Sequence, residues 1–559
     1  MKKRSRDNGE IYPDEIFLDA RNMPTFDTQQ FEGRVERPIA KHALYLLFGC
    51  FVLVLLVIVG KLFALQIASG KSFFERSLVN TLRLSPVFPD RATIKDRNAV
   101  SLAWTEGTER KYIKQDGFSH LLGYLGHADA IATDLFTLQA TTSVGIDGIE
   151  KNLNLQLAGT PGVKIAEADA LGRIQSENVR EEPVPGAPAI LSIDARIQTE
   201  LYTIIKSVAT DRGFAGGAGI LMDVTTGELI ALTSYPEFSS QVFSDGKDRK
   251  AIATALSDKT KPFLDRAVSG LYAPGSIIKP FMALGALAEG VITPEKKILS
   301  TGKLELPNPY DPTKKSIFKD WRAHGWVAMR DAIGYSSDEY FYQIGGGYKD
   351  QKGIGITNIE KYAKLFGFGE KTGIVLDSEG IGNIPSPEWK AKTFPSDPTW
   401  RIGNTYHTVI GQYGFLVTPI QVARAVGGLA TSGTLTQPTI LKTDVPQVAR
   451  QVALPRSDFK IIHEGMRMSA QTGTAKGLNL DYLSLAAKTG TAELGASKAR
   501  VNSWVVGFFP YEQPRYAFVV VMESGPVHNT IGGVYVMRQL FDWMYWHTPE
   551  YIKAPTGSY

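Results

Sequence analysis

The chain contains one uninterrupted apolar run, ALYLLFGCFVLVLLVIVG, at residues 43–60. With the following KLFALQIA it reaches the roughly 20 residues that a helix needs to cross a bilayer. The run is apolar on every face, so it has no polar stripe to present to water, which disfavours a buried core helix. A cleaved signal peptide is also disfavoured, because a long segment precedes the run and no A-x-A site follows it. We therefore expect a membrane anchor.

Composition adds three constraints. At 559 residues the chain has room for more than one domain, and 43% hydrophobic with 21% charged residues is ordinary globular composition. The net charge of +4 offers no concentrated basic surface, so we expect no nucleic-acid partner. The single cysteine, Cys50, lies inside the apolar run, which excludes an intrachain disulfide and a multi-cysteine metal cluster.

Changes in composition divide the chain into five parts. Residues 1–41 are charged and lack an apolar period, so we expect a disordered tail before the anchor at residues 42–68. Residues 69–190 carry mixed short elements and end in the Pro-rich EEPVPGAPA, which predicts a separate domain. DARIQTELYTIIKSVA then has helical spacing, and GAGILMDVTTGELIALTSYP reads as a β-hairpin. These patterns predict an α+β domain at residues 191–550 and a short tail at residues 551–559.

The stretch YAPGSIIKP, residues 272–280, places Ser276 and Lys279 three residues apart at the start of an apolar helix. Residues i and i+3 share a helix face, so the Lys279 amine is expected to reach the Ser276 hydroxyl. A serine with an attached base is a candidate nucleophile, provided that burial or a nearby positive charge leaves the lysine neutral for part of the time. The tetrapeptide S-x-x-K alone is common by chance.

A second stretch, GYSSDEYFYQIG, lies about sixty residues downstream. Ser336 is a candidate to relay a proton between Lys279 and a leaving amine, and Asp338 is a candidate to hydrogen-bond the substrate amide or the Lys279 ammonium. The alternative is a helix N-cap, with Ser336, Ser337 or Asp338 opening the helix EYFYQIG. Both interpretations can hold, because a cap also projects its neighbours into a cleft.

A third stretch, SLAAKTGTAELG, carries an apolar strand into Lys488, Thr489, Gly490 and Thr491. Alternation along the strand puts Lys488 and Gly490 on one face and Thr489 on the other. Lys488 would supply the positive charge near Lys279, and Gly490 leaves room for a ligand. The Thr491 N–H would join the Ser276 N–H in stabilising an oxyanion. QTGTAKG, residues 471–477, repeats T-G-T without the lysine and without a preceding strand, so we interpret it as a chance repeat.

The three motifs, in this order and at these spacings, resemble the class B penicillin-binding proteins, the D,D-transpeptidases of peptidoglycan synthesis. The resemblance extends through DRNAVSLA, GIDGIEKNLNLQLAGTPG and IGQYGFLVTPIQVARAVGGLATSG. The phrases YAPGSIIKP and PSPEWK are more similar to the elongation branch, penicillin-binding protein 2, than to the division branch. The resemblance implies a pedestal or dimerisation-type domain before a transpeptidase domain, whose antiparallel sheet is flanked by helices and whose serine begins a core helix. The site residues that it implies are Ser276, Lys279, Ser336, Asp338 and Lys488 for catalysis and Thr489, Gly490 and Thr491 for substrate and oxyanion.

What the resemblance implies for function is an acyl-serine formed on Ser276 from a D-Ala-D-Ala stem and resolved by a neighbouring stem's amine, with β-lactams acylating the same serine. It also implies a single-pass protein of the bacterial cytoplasmic membrane, with a cytoplasmic tail, an outer catalytic domain, and a multi-spanning glycan polymerase of the shape, elongation, division and sporulation (SEDS) family among other elongation-complex partners. The second motif reads S-S-D where the family pattern is S-x-N, which leaves the role of Asp338 open. Some relatives bind a metal through a cysteine near the site, but no cysteine is available here and no cofactor is expected.

Two other functions remain open. A D,D-carboxypeptidase or β-lactamase of the same fold would deliver water instead of an amine to the acyl-enzyme. A non-catalytic β-lactam sensor or scaffold would keep the fold for binding alone.

Overall fold

A computed structural model describes residues 40–74, 82–129, 141–168, 174–308, 311–443 and 445–553. The disorder expected for residues 1–41 and the C-terminal tail expected from residue 551 fall almost entirely outside the described residues. Contacts divide the chain into two units, residues 1–83 with 166–176 and residues 84–165 with 177–559. Each unit is described by itself.

The first unit contains the apolar helix α1, Lys41–Phe63, which continues as a π-helical turn over Ala64–Ala68. No side chain of α1 is buried. Among the described residues it is the one helix that is long and apolar enough to cross a membrane. A core helix of a soluble protein would be covered by its neighbours, so this exposed apolar helix fits a single-pass membrane anchor.

Short strands and one-turn helices make up the region that precedes the large domain. Glu150 is fully buried in this region, and its carboxylate accepts from Arg91 Nε at 2.5 Å and from Arg110 Nε at 2.7 Å. Such pairing is the condition under which a carboxylate can be fully buried. The strands are β1 Leu82–Val87, β2 Ile94–Lys95, β3 Ser101–Glu106, β4 Glu109–Tyr112, β5 Leu125–Asp129, β6 Thr141–Gly145, β7 Gly162–Ala168, β8 Ile174–Glu181 and β9 Ala189–Ile190. The helices are α2 Ser119–Leu122, α3 Gly148–Asn152 and α4 Asn154–Ala158.

The large domain is built on a five-stranded antiparallel sheet. Helix α5, Ala195–Arg212, precedes the hairpin that the sequence predicts, and three long strands near the C-terminus complete the sheet. The strands are β10 Gly216–Asp223, β11 Leu229–Tyr235, β18 Ala486–Leu494, β19 Arg500–Phe509 and β20 Tyr516–Pro526. Their hydrogen-bonded order is β11-β10-β20-β19-β18, so β18 is an edge strand.

Both faces of this sheet are buried, which explains why its strands read as continuous apolar runs. Along β20, Phe518 and Val520 point into one hydrophobic cluster with α5 and α16, Gly533–His547. Val519 and Val521 point into the other cluster, with α8, Lys279–Ala288, and α14, Pro419–Ala430.

The remaining elements of the large domain lie between β11 and β18 or close the chain. The helices are α6 Ser240–Asp245, α7 Arg249–Ser257, α9 Met329–Gly334, α10 Asp338–Gly346, α11 Gly355–Leu365, α12 Pro387–Thr393, α13 Ile402–Val409, α15 Arg456–Gln471 and α17 Pro549–Ile552. The short strands are β12 Ile298–Ser300, β13 Lys303–Asn308, β14 Asp311–Lys319, β15 Gly325–Val327, β16 Thr434–Thr436 and β17 Val448–Gln451. The α+β fold predicted from the sequence, with an apolar helix, a smaller domain and a sheet flanked by helices, is confirmed.

Candidate active site

Ser276 lies in a 3-10 turn, Gly275–Ile278, that leads directly into the buried helix α8. Gly275 has a φ of +55°, a region that glycine adopts without strain, and its N–H donates to Gly411 O at 3.0 Å. A Cβ at Gly275 would lie 2.8 Å from Thr491 O. The serine turn is therefore held between the Gly411 loop and the edge strand β18.

Gly490 of β18 makes this close approach possible. A Cβ there would lie 2.8 Å from Pro274 O and 2.9 Å from Ile277 Cγ2. Trp504, its register partner on β19, donates from Nε1 to Ala273 O at 3.0 Å. The edge strand and the serine turn thus pack directly against each other at Gly490.

Lys279 is fully buried beneath the cleft. Its Nζ donates to Asp338 Oδ1 at 2.6 Å and to Ser336 O at 2.8 Å, and it lies 3.3 Å from Ser336 Oγ. Three acceptors match the three N–H donors of an ammonium. Among the described residues, Ser276 is not a hydrogen-bond partner of Lys279. This differs from the direct contact expected from the sequence, because the carboxylate and the two Ser336 oxygens hold the amine.

Lys488 is the second fully buried lysine, and it enters the site from β18. Its Nζ donates to Ser336 Oγ and to Thr489 O, both at 2.8 Å. Burial, and then the nearby Lys279 charge, lower the pKa of Lys488 well below its usual value, against the opposing effect of Asp338. The sequence suggested that Lys488 would promote deprotonation of Lys279; in the structure, the lowered pKa belongs to Lys488 itself.

Ser336 joins the two lysines, and its backbone occupies the left-handed region with a φ of +61°. The cap predicted as the alternative for this motif falls on the next residue: Ser337 Oγ accepts from Tyr340 N at 3.3 Å and begins α10. The cap and the lysine contacts therefore hold together. Ser337 fixes the start of the helix, and its neighbours Ser336 and Asp338 reach the lysines.

Sequence reasoning missed Asp320, which lies just after β14 and is buried. Its Oδ2 accepts from Ser337 Oγ at 2.8 Å and from Glu339 N at 3.0 Å, and its Oδ1 accepts from Trp321 N at 2.8 Å. The Asp320 carboxylate thereby stabilises the N-terminus of α10, where the helix dipole favours a negatively charged side chain. No spacing pattern marks this residue, because it joins the motif only through the fold.

The interpretation of residues 471–477 as a chance repeat was incomplete. Thr489 Oγ1 donates to Thr474 Oγ1 at 2.6 Å, so the earlier T-G-T contacts the later one. Thr472, Gly473, Thr474 and Lys476 also line the cleft. The repetition itself was the signal that could have identified this segment.

These residues surround one cleft with a volume of about 1380 Å³. Six of the predicted site residues line it, and Lys279 and Lys488 lie buried beneath it; the six are Ser276, Ser336, Asp338, Thr489, Gly490 and Thr491. Thr489 and Thr491 face outward from β18, while Lys488 and Gly490 are on its buried side, as the alternation predicts. In the part of the chain that the structure describes, no group of three His, Cys, Asp or Glu side chains could hold a metal ion.

Comparison with known proteins agrees with this geometry. Residues 217–537, more than half of the chain, match the family described as penicillin binding protein transpeptidase domain. The chain belongs to this family of penicillin-binding proteins. Residues 87–191 of this penicillin-binding protein match a second family, the penicillin-binding protein dimerisation domain. The smaller domain that precedes the large one is thus also of a penicillin-binding type.

Individual relatives point to the elongation branch that the sequence motifs resemble. The peptidoglycan D,D-transpeptidase MrdA of Acinetobacter baumannii is 33% identical over 74% of this chain. A crystal structure of Pseudomonas aeruginosa PBP2 in complex with WCK 5153 is 29% identical, covers 85% of this chain and all of that chain, and has a TM-score of 0.71. Helicobacter pylori PBP2, in a complex with MreC, is 26% identical over 83% of this chain and 98% of that chain, with a TM-score of 0.68. The resemblance to class B, PBP2-type proteins is confirmed.

The match to the Acinetobacter relative covers 63% of that protein's length. This penicillin-binding protein therefore shares the family and fold of that relative over the matched region.

Proposed function

We propose that this protein is a peptidoglycan D,D-transpeptidase that crosslinks stem peptides during cell-wall elongation. The observation that carries the proposal is the Ser336 hydroxyl, held between two buried lysine amines in the cleft that Ser276 lines. Family membership and the MrdA relative support the same activity. The substrate is the D-Ala-D-Ala end of a stem peptide, and β-lactams acylate the same serine.

Acylation begins with a proton shift between the lysines. Lys279 must lose one of its three bonded protons before it can act as a base. Ser336 Oγ lies 3.3 Å from Lys279 Nζ and 2.8 Å from Lys488 Nζ, and the lowered pKa of Lys488 supplies a neutral amine to receive a proton through that hydroxyl. Lys279 then takes the Ser276 hydroxyl proton as Oγ bonds to the carbonyl carbon of the penultimate D-alanine.

The oxyanion that forms faces the backbone N–H groups of Ser276 and Thr491, on the two segments that Gly275 and Gly490 bring together. The C–N bond to the terminal D-alanine breaks, and its nitrogen receives a proton returned through Ser336. An amine of a neighbouring stem then attacks the acyl-serine and loses a proton by the reverse route. Ser276 recovers its proton, and one peptide bond has replaced another.

Substitution of the nucleophile tests the proposal. Ser276→Ala should abolish labelling by fluorescent penicillin and abolish crosslinking of stem peptides by the purified full-length protein. Ser457→Ala, at an exposed serine on α15, is the matched control and should retain both. Crosslinking that persists in Ser276→Ala would refute the assignment.

The fate of the acyl-enzyme separates the alternatives. A transpeptidase should hold penicillin for hours, whereas rapid turnover would indicate a β-lactamase. With a stem-peptide substrate, release of D-alanine without crosslinks would indicate a carboxypeptidase. Labelling without any reaction on stem peptides would indicate a sensor or scaffold.

We further propose that α1 crosses the bacterial cytoplasmic membrane once, with residues 1–41 inside and the catalytic domain outside. Residues 69–190 then form a pedestal or dimerisation-type domain, followed in the chain by a transpeptidase domain at residues 191–550. Protease added to intact spheroplasts should cleave the large domain, whereas protection of that domain would contradict the orientation.

Partners are proposed on the same basis. Helix α1 has no buried side chain, and the H. pylori PBP2 structure is a complex with MreC. We propose that α1 and residues 69–190 dock on a SEDS-family glycan polymerase and other elongation-complex proteins. Photo-crosslinking residues placed in those two regions should capture a multi-spanning protein, and probes on exposed α7 should not.

A further inference from the structure

Arg322 follows β14 in the chain and lines the same cleft as Ser336. Although the residue is exposed, two aromatic rings hold its guanidinium: Cζ lies 4.5 Å from the centroid of the Trp321 ring and 5.5 Å from that of the Tyr335 ring. A guanidinium within about 6 Å of an aromatic ring is attracted to its face. Tyr335 directly precedes Ser336, so Arg322 is positioned beside the S-S-D motif.

A hydrogen bond to His324 sets the orientation of the guanidinium. Arg322 Nε donates to His324 Nδ1 at 3.3 Å. Burial lowers the pKa of His324, so near neutral pH the ring is uncharged, and Nδ1 accepts while Nε2 carries the proton. That Nε2 lies 3.5 Å from Oδ1 of Asp320, whose carboxylate also accepts from a backbone N–H of α10. Arg322 is thus connected to the buried residues that position the S-S-D motif.

Both terminal nitrogens of Arg322 remain available to a ligand. Within the residues that the structure describes, neither Nη1 nor Nη2 has a hydrogen-bond or ion-pair partner. Lys319, which lines the same cleft, also has no ion-pair partner in that part of the chain. Each carboxylate that lines the cleft already has a partner of its own; these carboxylates are Asp320, Asp338 and Glu493. A fixed planar guanidinium beside a second cation matches a ligand carboxylate, which accepts two parallel N–H bonds.

The reaction places the acceptor on this wall of the cleft. In the proposed resolution step the amine nitrogen bonds to the acyl carbon, the bond to Ser276 Oγ breaks, and the amine proton passes through Ser336 to Ser276. The attacking amine therefore lies beside Ser336, and the neighbouring Tyr335 ring contacts the Arg322 guanidinium. A carboxylate close to that amine is the group that Arg322 can bind.

We propose that Arg322 determines acceptor specificity by binding a carboxylate that the acceptor carries close to its attacking amine. This inference rests on the proposed transpeptidase function. It assigns the acceptor to a chemical class, diamino acids whose attacking amine and a carboxylate share one carbon, in preference to a lysine side chain. Lys319 adds positive charge to the same wall.

Two synthetic acceptor peptides test the proposal, because they differ only in whether the carbon that bears the attacking amine carries a carboxylate or a carboxamide. The full-length protein receives one donor pentapeptide, with its own side-chain amine acetylated, and mass spectrometry measures crosslinked product per D-alanine released. Arg322→Gln should lower the carboxylate-to-carboxamide ratio of crosslinking about 10-fold, the loss expected for a hydrogen bond to a charged group. Arg322→Lys, which keeps the charge but loses the planar fork, should lower the ratio about threefold.

Arg249→Gln, at an exposed arginine on α7, is the matched control and should keep the wild-type ratio. An unchanged ratio in Arg322→Gln would overturn the inference. Slower release of D-alanine from the donor alone, with the ratio unchanged, would assign the carboxylate to the donor and overturn it as well. A wild-type protein that forms no crosslinks with either acceptor would overturn the proposed function, whereas wild-type crosslinking with either of the preceding results overturns this inference alone.

Discussion

The Asp338 carboxylate lies 2.6 Å from Lys279 Nζ, and the lysine is fully buried while the aspartate side chain is 21% exposed. An asparagine at this position, as in the general family pattern, would accept the same hydrogen bond but carry no charge. The aspartate instead gives the buried lysine an ion-pair partner and opposes the lowering of the Lys488 pKa. The S-S-D sequence therefore changes the charge of the site while keeping its shape.

Asp338→Asn should shift the pH dependence of acylation. The Asp338 charge raises the pKa of Lys488, so its removal lowers that pKa further. The Lys488 amine is then deprotonated at a lower pH. The acidic limb of the plot of acylation rate against pH should therefore shift to lower pH by about one unit. Glu493→Gln, at a carboxylate that lines the cleft and pairs with Lys498, is the control and should leave the limb in place. A shift to higher pH would contradict this account.

Lys488 should make the stability of the protein depend on pH. Its folded pKa lies well below 10.5, so between the two values the unfolded chain binds a proton that the folded chain does not. Stability therefore rises with pH in this window, by up to about 1.4 kcal/mol per unit, and is lost as pH falls. The difference in unfolding free energy between wild type and Lys488→Met should grow from neutral pH towards pH 10.

The control for that measurement is Lys476→Met, at an exposed lysine of the same cleft. Its difference from wild type should stay constant over the same range, because this lysine is exposed and not buried as Lys488 is. A Lys488→Met difference that is flat or falls with pH would show that burial does not depress the Lys488 pKa.

Local patterns in the sequence predicted the elements that carry the site. The apolar run, the 3.6-residue period of α5 and the alternation along β18 depend on neighbours close in the chain, and each was found where expected. The three motifs also indicated the residues that gather around the cleft, because each motif supplies its own local geometry.

What the sequence could not predict are contacts between distant segments. Lys488 and Ser336 are separated by 152 residues, yet Lys488 Nζ donates to Ser336 Oγ, and the burial that lowers the pKa of Lys488 arises from the same packing of distant segments. Asp320 reaches Ser337 across 17 residues, from a loop with no motif of its own. Burial and hydrogen-bond competition at these positions arise only when the chain has folded.

Asp320→Asn should destabilise the start of α10. The carboxylate accepts from Ser337 Oγ, Glu339 N and Trp321 N, and an amide turns one acceptor oxygen into a donor that faces another donor. The loss should be about 2 kcal/mol, visible as a fall of several degrees in Tm. Asp211→Asn is the control, since Asp211 also accepts from a serine hydroxyl but is exposed. An unchanged Tm for Asp320→Asn would show that the hydrogen bonds of the Asp320 carboxylate contribute nothing to the stability of the protein.

Gly490→Ala tests whether direct packing of β18 against the serine turn is required for acylation. The new methyl group would lie 2.8 Å from Pro274 O and 2.9 Å from Ile277 Cγ2, and the first of these atoms belongs to the backbone, so the turn carrying Ser276 must move. Overpacking of this kind costs about 1–3 kcal/mol of stability. The same displacement separates the two N–H groups proposed to face the oxyanion, so the acylation rate should fall at least about 10-fold.

Gly60→Ala makes the identical chemical change where no atom lies within 4 Å, and it should leave both stability and acylation unchanged. Acylation by benzylpenicillin and thermal unfolding of the same full-length preparations separate the two effects of Gly490→Ala. A variant that is destabilised but acylates at the wild-type rate would show that the serine turn tolerates displacement from β18. The close approach at Gly490 would then serve the fold alone, and the pairing of the Ser276 and Thr491 N–H groups around one oxyanion would be wrong.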